Sequence, residues 1–187
     1  MKRVGDIYPK IYDKGNILKA INKAALRKKD RSNVRKIIDN PMFYAEYLHK
    51  ILKEKRYKPN PYTEVKIQDG VRKKERIIYK PQFFPDQVIH WALMLNLEPI
   101  LMRGMYYYCC GSVKNRGIHH GANYIKKILV NDRKNTKYCL KLDVKKFYPS
   151  INQQILKHKF LKIIKCRDTL DLIDLIIDSS KQGLPIR

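Results

Sequence analysis

Two kinds of apolar patterning succeed one another along this chain, and the switch between them divides it. Ile17, Leu18, Ile21, Ala24 and Ala25 recur at helical spacing, with Leu26 extending the series, against Lys19, Lys23, Arg27 and Lys28. That spacing puts the apolar groups on one side of a 3.6-residue helix, predicted from Asn16 as cap to about Lys29. A second helical stretch runs from Asn33 to Asp39 and stops at Asn40-Pro41. A third carries Phe43, Tyr44, Tyr47, Leu48, Ile51 and Leu52 to about Lys55. Residues 1–60 thus read as a basic helical lead-in that packs on the later part of the chain.

Pro59-Asn60-Pro61 breaks that pattern, and the period becomes two. Val65 and Ile67, then Gln68-Asp69-Gly70, then Ile77 and Tyr79 after a run of charges predict a β-hairpin with a basic tip. Pro81 and Pro85 bracket a turn before an apolar helix from Asp86 to about Leu97. Val88, Ile89, Ala92, Leu93 and Leu95 are its expected core, His90 a hydrogen-bonded core residue, and Pro99 its end or kink. Tyr106 to Cys110 predicts a short strand, Gly111 to Gly121 a basic loop, and Ala122 to Val130 a helix. In 138–144, Tyr138, Leu140, Leu142 and Val144 alternate with Cys139, Lys141 and Asp143, the pattern of a half-buried strand that Pro149 stops. Asn152 is placed to cap a helix bearing Ile155, Leu156, Phe160, Ile163 and Ile164, and Asp168 a last one bearing Leu172, Ile173, Ile176 and Ile177. These elements predict an α+β chain in three parts: 1–60, 61–137 and 138–187.

Charge narrows the partners. Forty-one Lys and Arg oppose seventeen Asp and Glu, a net charge of +24 spread along 187 residues, so a polyanion is the expected partner. Thirteen tyrosines interleave with that charge, which suits nucleic acid because cations contact phosphates while rings stack on bases. The plainer alternative is a crowded, solvated basic surface. Four cysteines follow no CxxC spacing and no secretory leader precedes them, so a reducing compartment is expected. Cys109-Cys110 and His119-His120 do not read as a zinc site, since adjacent cysteines are poor ligands for one tetrahedral ion. No apolar run approaches the ~18 residues that a membrane span requires, and no membrane partner is expected.

The most informative chemistry lies at Leu142-Asp143-Val144-Lys145-Lys146-Phe147-Tyr148-Pro149, a carboxylate at the tip of an apolar strand with lysines and an aromatic pair behind it. An ionised carboxylate in that setting is costly to desolvate unless a cation or donor pairs with it. The string, taken with three others in order, resembles the fingers and early palm of a reverse transcriptase of bacterial retroelements: group II introns, retrons or diversity-generating retroelements. Lys74-Glu75-Arg76-Ile77-Ile78-Tyr79-Lys80-Pro81 resembles the fingers hairpin, and the stretch from Asp86 to Leu101 the helix after it. Gly117-Ile118-His119-His120-Gly121-Ala122 resembles the turn before the palm. Gln182-Gly183-Leu184-Pro185 resembles the motif supporting template and nucleotide.

The resemblance implies a right-hand polymerase fold, helix-rich fingers with a hairpin and the first part of the palm, and an RNA-directed DNA polymerase activity. Asp143 would be the catalytic carboxylate and a ligand of Mg2+, or alternatively Mn2+, with the backbone carbonyl of Val144 as a further ligand. Tyr148 would lie beneath the sugar and exclude a ribose 2′-hydroxyl, while Phe147 packs beneath the site. Lys74 and Arg76, two apart on one strand, would hold the triphosphate of a deoxynucleotide, with Lys73 competing for the second contact. Gln182 and Gly183 would sit by template or nucleotide. Lys114, Arg116 and His119 would line the template approach, against the plainer reading of a basic loop. The implied partners are an RNA template with primer, deoxynucleoside triphosphates and structured RNA of the parent element, in a bacterial cytoplasm.

The chain departs from the family in one respect that decides its expected activity. No Asp-Asp dipeptide occurs, and the acids at Asp168, Asp171, Asp174 and Asp178 are spaced for a solvated helix face. One carboxylate does not hold two divalent ions, so these residues alone are expected not to polymerise DNA, the palm being incomplete and the thumb absent. The Asp143 strand would then be an edge, which favours self-association. The alternative from another class is a non-catalytic RNA-binding module, a remnant or maturase-like piece.

Overall fold

Burial, rather than periodicity alone, decides which predicted faces become core. The computed structural model describes residues 2–69, 74–181 and 183–185, and the side chains of Asp69 and Lys74 lie outside that description. The fold is helix-rich α+β with two compact units, one formed by residues 1–98 and 146–187, the other by 99–145.

In the first unit, the single turn α1 (Tyr8–Ile11) leads into α2 (Lys14–Ala25), α3 (Ser32–Asp39) and α4 (Pro41–Lys53). Ile11, Ile17, Ile21, Leu48 and Leu52 are fully buried where α1, α2 and α4 meet. The cap of α2 is Asp13, not Asn16: its carboxylate accepts from the Asn16 amide at 2.9 Å, and its charge suits the positive end of the helix dipole. Asn16 instead donates its side-chain amide to the carbonyls of Ile11 and Ala92, each at 3.0 Å, and so ties three segments together. α2 ends at Ala25, where Leu26 becomes extended and Arg27 left-handed at φ 60°, and Leu26 is exposed. On α4 the buried residues are Ala45, Leu48 and Leu52, while Phe43 and Tyr47 stay exposed.

The hairpin forms as the period-two pattern predicts. β1 (Thr63–Asp69) pairs antiparallel with β2 (Lys74–Lys80), with Val65 opposite Ile78 and Ile67 opposite Arg76. The buried member of β2 is Ile78, Tyr79 is half-buried and Ile77 is exposed. A π-helical turn (Phe83–Gln87), broken by extended backbone at Phe84, enters α5 (Val88–Met102). Val88, Ile89, Ala92, Leu93 and Leu97 are buried, as is His90, and Pro99 sits within the helix without ending it. Asp86, 1% exposed, accepts from the Tyr57 hydroxyl at 2.7 Å and from the Asn60 amide side chain at 3.0 Å and backbone N–H at 3.3 Å. A buried carboxylate requires such donors, and they anchor the entry to the hairpin.

The second unit departs most from the sequence reading. Residues 106–110 form a turn, not a strand. α6 (Ile118–Asn131) begins four residues before the predicted helix and buries none of its side chains. Residues 138–144 form no strand: Tyr138 is 95% exposed, and Leu140 and Leu142 81%. Alternation becomes a strand only beside a ladder partner, and among the described residues β1 and β2 pair with each other.

The first unit resumes at Lys146, which is left-handed at φ 51° and starts the single turn α7 (Phe147–Ser150), so Pro149 lies in a helical turn. α8 (Gln153–Ile163) is capped by Asn152 as expected, its side chain accepting from the Ile155 amide at 3.0 Å. α9 (Arg167–Asp178) takes Cys166 at the cap position; Asp168 stands in the first turn and pairs with Lys55 at 2.7 Å. Leu170, Leu172, Ile173 and Ile177 face inward. Val4 forms a parallel bridge with Ile164, its amide donating to Ile163 O at 2.9 Å and its carbonyl accepting from Lys165 N at 2.7 Å. Among the described residues no helix is long and apolar enough to cross a membrane.

Candidate nucleotide site

Two of the residues singled out by sequence meet in the first unit. Gly183 is buried and left-handed at φ 52°, and a Cβ placed there would lie 2.6 Å from Pro149 O and closer still to Tyr148 O. Only glycine tolerates both that backbone conformation and that approach. The amide of Leu184 donates to Tyr148 O at 3.0 Å and completes the corner. A third side chain, which the sequence did not single out, holds it from beneath. The Gln153 amide nitrogen donates toward the carbonyls of Gly183 at 2.9 Å, Ser180 at 2.9 Å and Ile177 at 3.1 Å. Its one sequence signal is its place directly after the Asn152 cap, where a side chain turns back over the helix start.

The aromatic pair stands on this corner. Phe147 and Tyr148 pack edge to face, centroids 5.4 Å apart at 76°, and both are exposed. Phe147 therefore does not pack beneath the site, contrary to expectation: α7 is a single turn and offers it no core. Exposed aromatic faces over a rigid backbone corner can stack against a sugar or a base.

The charged residues singled out by sequence are divided between the two units. Arg76 is exposed on β2 opposite Ile67, and Lys74 stands two residues before it on the same strand. Gln182 and Lys73 lie outside the described residues. Asp143 and Val144 belong to the second unit, both exposed in non-regular backbone, and the Asp143 carboxylate has no hydrogen bond or ion pair among the described residues. No group of three or more His, Cys, Asp or Glu able to hold a metal occurs among them. A lone exposed carboxylate fits a hydrated, weakly held Mg2+, not the paired ions of nucleotidyl transfer.

In the second unit, Arg116 is engaged with tyrosines: its guanidinium lies 5.1 Å from the Tyr107 ring centroid and donates to Tyr106 O at 3.2 Å. His120 packs against Tyr107 and Tyr108, and Tyr108 stacks on Tyr124. Lys114 and His119 are exposed. Ten Lys and Arg against two acids across residues 99–145 make this unit strongly cationic. No protein-family model and no curated protein matches the chain.

Proposed function

We propose that this chain is the fingers and early-palm portion of an RNA-directed DNA polymerase of the retroelement kind, with the corner at Tyr148 and Gly183 as the floor of its deoxynucleotide site. The observation that supports this is the close approach of Gly183 to the Tyr148 and Pro149 carbonyls. It joins two separated motifs that the resemblance assigns to one nucleotide, and it explains physically why the second must carry glycine. Arg76 and Lys74 are the proposed triphosphate contacts. Lys114 supplies a cation and His119 a hydrogen-bonding imidazole along the template, with Arg116 presenting the tyrosines it clasps.

The chemistry available from these residues is binding and positioning. A net charge of +24 releases counterions from an RNA template and primer, so affinity falls steeply with salt. Asp143 supplies one carboxylate; joining nucleotides with Mg2+ requires further ligands than the described residues bring together. That observation favours a second reading, a non-catalytic RNA-binding module that holds structured RNA.

Photocrosslinking separates the two. A photoreactive deoxynucleotide is offered to the chain on an RNA template with primer, and labelling is compared for the template-matched and a mismatched base. The polymerase reading expects matched labelling about tenfold above mismatched, consistent with ~1.4 kcal/mol of discrimination, and its collapse in Gly183→Val. Equal labelling of both bases, with RNA still bound, overturns it in favour of the RNA-binding module.

A further inference from the structure

A cavity of about 490 Å3 lies in the first unit between α3, the outer ends of the hairpin and the turn that precedes α5, and none of its lining residues belongs to the corner at Tyr148 and Gly183. Its size is that of a small-ligand site, which spans ~300–1,000 Å3. Beside the aliphatic Val34, Ile37 and Pro81 and the Thr63 hydroxyl, three kinds of group line it. Arg31 and Lys80 supply two cations; Asn33 and Gln82 supply two amides; Phe83 and Phe84 supply aromatic wall. No acid lines it, and neither Arg31 nor Lys80 has an acidic partner among the described residues.

The walls are fixed before any ligand arrives. Phe84 is held by Tyr44, edge to face at 5.1 Å and 72°, and by Tyr47 at 5.9 Å. Phe83 and Pro81 are buried. Gln87 is locked at both ends of its amide, accepting from Lys28 Nζ at 2.5 Å and donating to Pro81 O at 2.8 Å, so it forms wall, not ligand contact. The Asn33 and Gln82 side chains, by contrast, make no hydrogen bond among the described residues, and each carries both a donor and an acceptor. α3 also begins here with no side chain capping its first amides, which adds partial positive charge to that of Arg31.

We propose that this cavity binds a nucleoside 5′-phosphate unit, phosphate on Arg31 and Lys80, base against the phenylalanine wall with its edge read by Asn33 and Gln82. A guanidinium and an ammonium together match a phosphate dianion, and unengaged amides match the mixed donors and acceptors of a base edge. A phosphorylated tyrosine would use the cations and the wall but leave both amides without partners, which is costly once they are desolvated. The unit is supplied by a free mononucleotide or by one residue of a single strand; both offer a base and an anionic phosphate, a dianionic monoester in the first and a monoanionic diester within the second. This site does not depend on Asp143 or on the corner at Gly183.

The test is calorimetric titration of the full chain at about 0.15 M salt, where long-range attraction to a basic surface is largely screened. The probes are adenosine monophosphate, adenosine, inorganic phosphate and a short oligoadenylate. One equivalent of the monophosphate is expected per chain, bound about tenfold more tightly than adenosine or phosphate alone. Arg31→Gln and Lys80→Gln should each weaken it about tenfold, and Lys126→Gln, a cation of the second unit, less than about twofold. Thermal melts establish that the two variants fold. Tighter, competitive binding of the oligonucleotide identifies a strand as the source, and equal or weaker binding identifies the free nucleotide. The proposal is overturned if inorganic phosphate binds as tightly as the monophosphate, if a phosphotyrosine peptide does so, or if Arg31→Gln behaves like Lys126→Gln. Failure here is read at Arg31 and Lys80, and failure of the polymerase reading in template-matched labelling at the Gly183 corner, so the two are distinct.

Discussion

The two units carry comparable amphipathic patterning and use it differently. In α4 the stripe of Ala45, Leu48 and Leu52 is closed over, and the nearly all-apolar α5 buries Ile89 and Leu97, each of these within 1% of complete burial. In α6 the same kind of stripe, with Ile118, Ile125 and Leu129, is exposed throughout, and residues 138–144 carry a strand pattern without a strand. An amphipathic stripe states only which side of an element is apolar. Whether that side becomes core depends on a second surface of matching shape, since helical stability comes mainly from tertiary packing.

Hydrogen exchange reads this contrast most strongly. Amides of α4 and of residues 88–98 should exchange only through near-global opening, and those of residues 132–145 near intrinsic rates, a gap of more than about a thousandfold. Comparable protection in both would erase the distinction between the units. Leu48→Ala should cost about 2–5 kcal/mol in urea unfolding, from lost transfer and a cavity, whereas Ile125→Ala should stay within about 0.5 kcal/mol. A large penalty at Ile125 would show that α6 packs on something in solution. Gly183→Ala tests the corner: left-handed strain and a blocked Cβ should cost about 1–3 kcal/mol and expose the Gly183-Leu184 bond to proteolysis.

The smallest effect is confined to high pH. Burial, reinforced by Asp168, raises the Tyr8 hydroxyl to about 12, and that hydroxyl donates to Leu52 O at 2.6 Å. The folded state therefore holds the Tyr8 proton more tightly than the unfolded chain, whose tyrosines titrate near ~10. This contribution is complete below pH ~10 and lost as pH rises through the folded value. Unfolding monitored from pH 9 to 12 should show a steeper loss in the native protein than in Tyr8→Phe.

Local signals in the sequence carried the hairpin and the Asn152 cap, because each depends on residues within a few positions of one another. The exchange of roles between Asp13 and Asn16 did not show: both are good caps, and the choice was settled by Ala92, far along the chain. Asp168 likewise stands in the first turn of α9 and not at its cap, its carboxylate paired with Lys55, far along the chain. The strand expected at 138–144 failed because alternation names a face and not a partner. In the candidate site, Gly183 and Tyr148 were legible separately. Their contact was not, nor was the Gln153 clamp or the cavity at Arg31 and Lys80, all of which depend on distant backbone.

The bridge between Val4 and Ile164 has a consequence for how the molecule is made. During synthesis Val4 emerges well before its hydrogen-bonding mate, which is about 160 residues behind it, a long loop to close. α1 to α4 can assemble from local contacts while translation proceeds. Val4 must wait, unlatched, until Lys165 has cleared the ribosome, so a residue made before α1 to α4 is among the last to find its place.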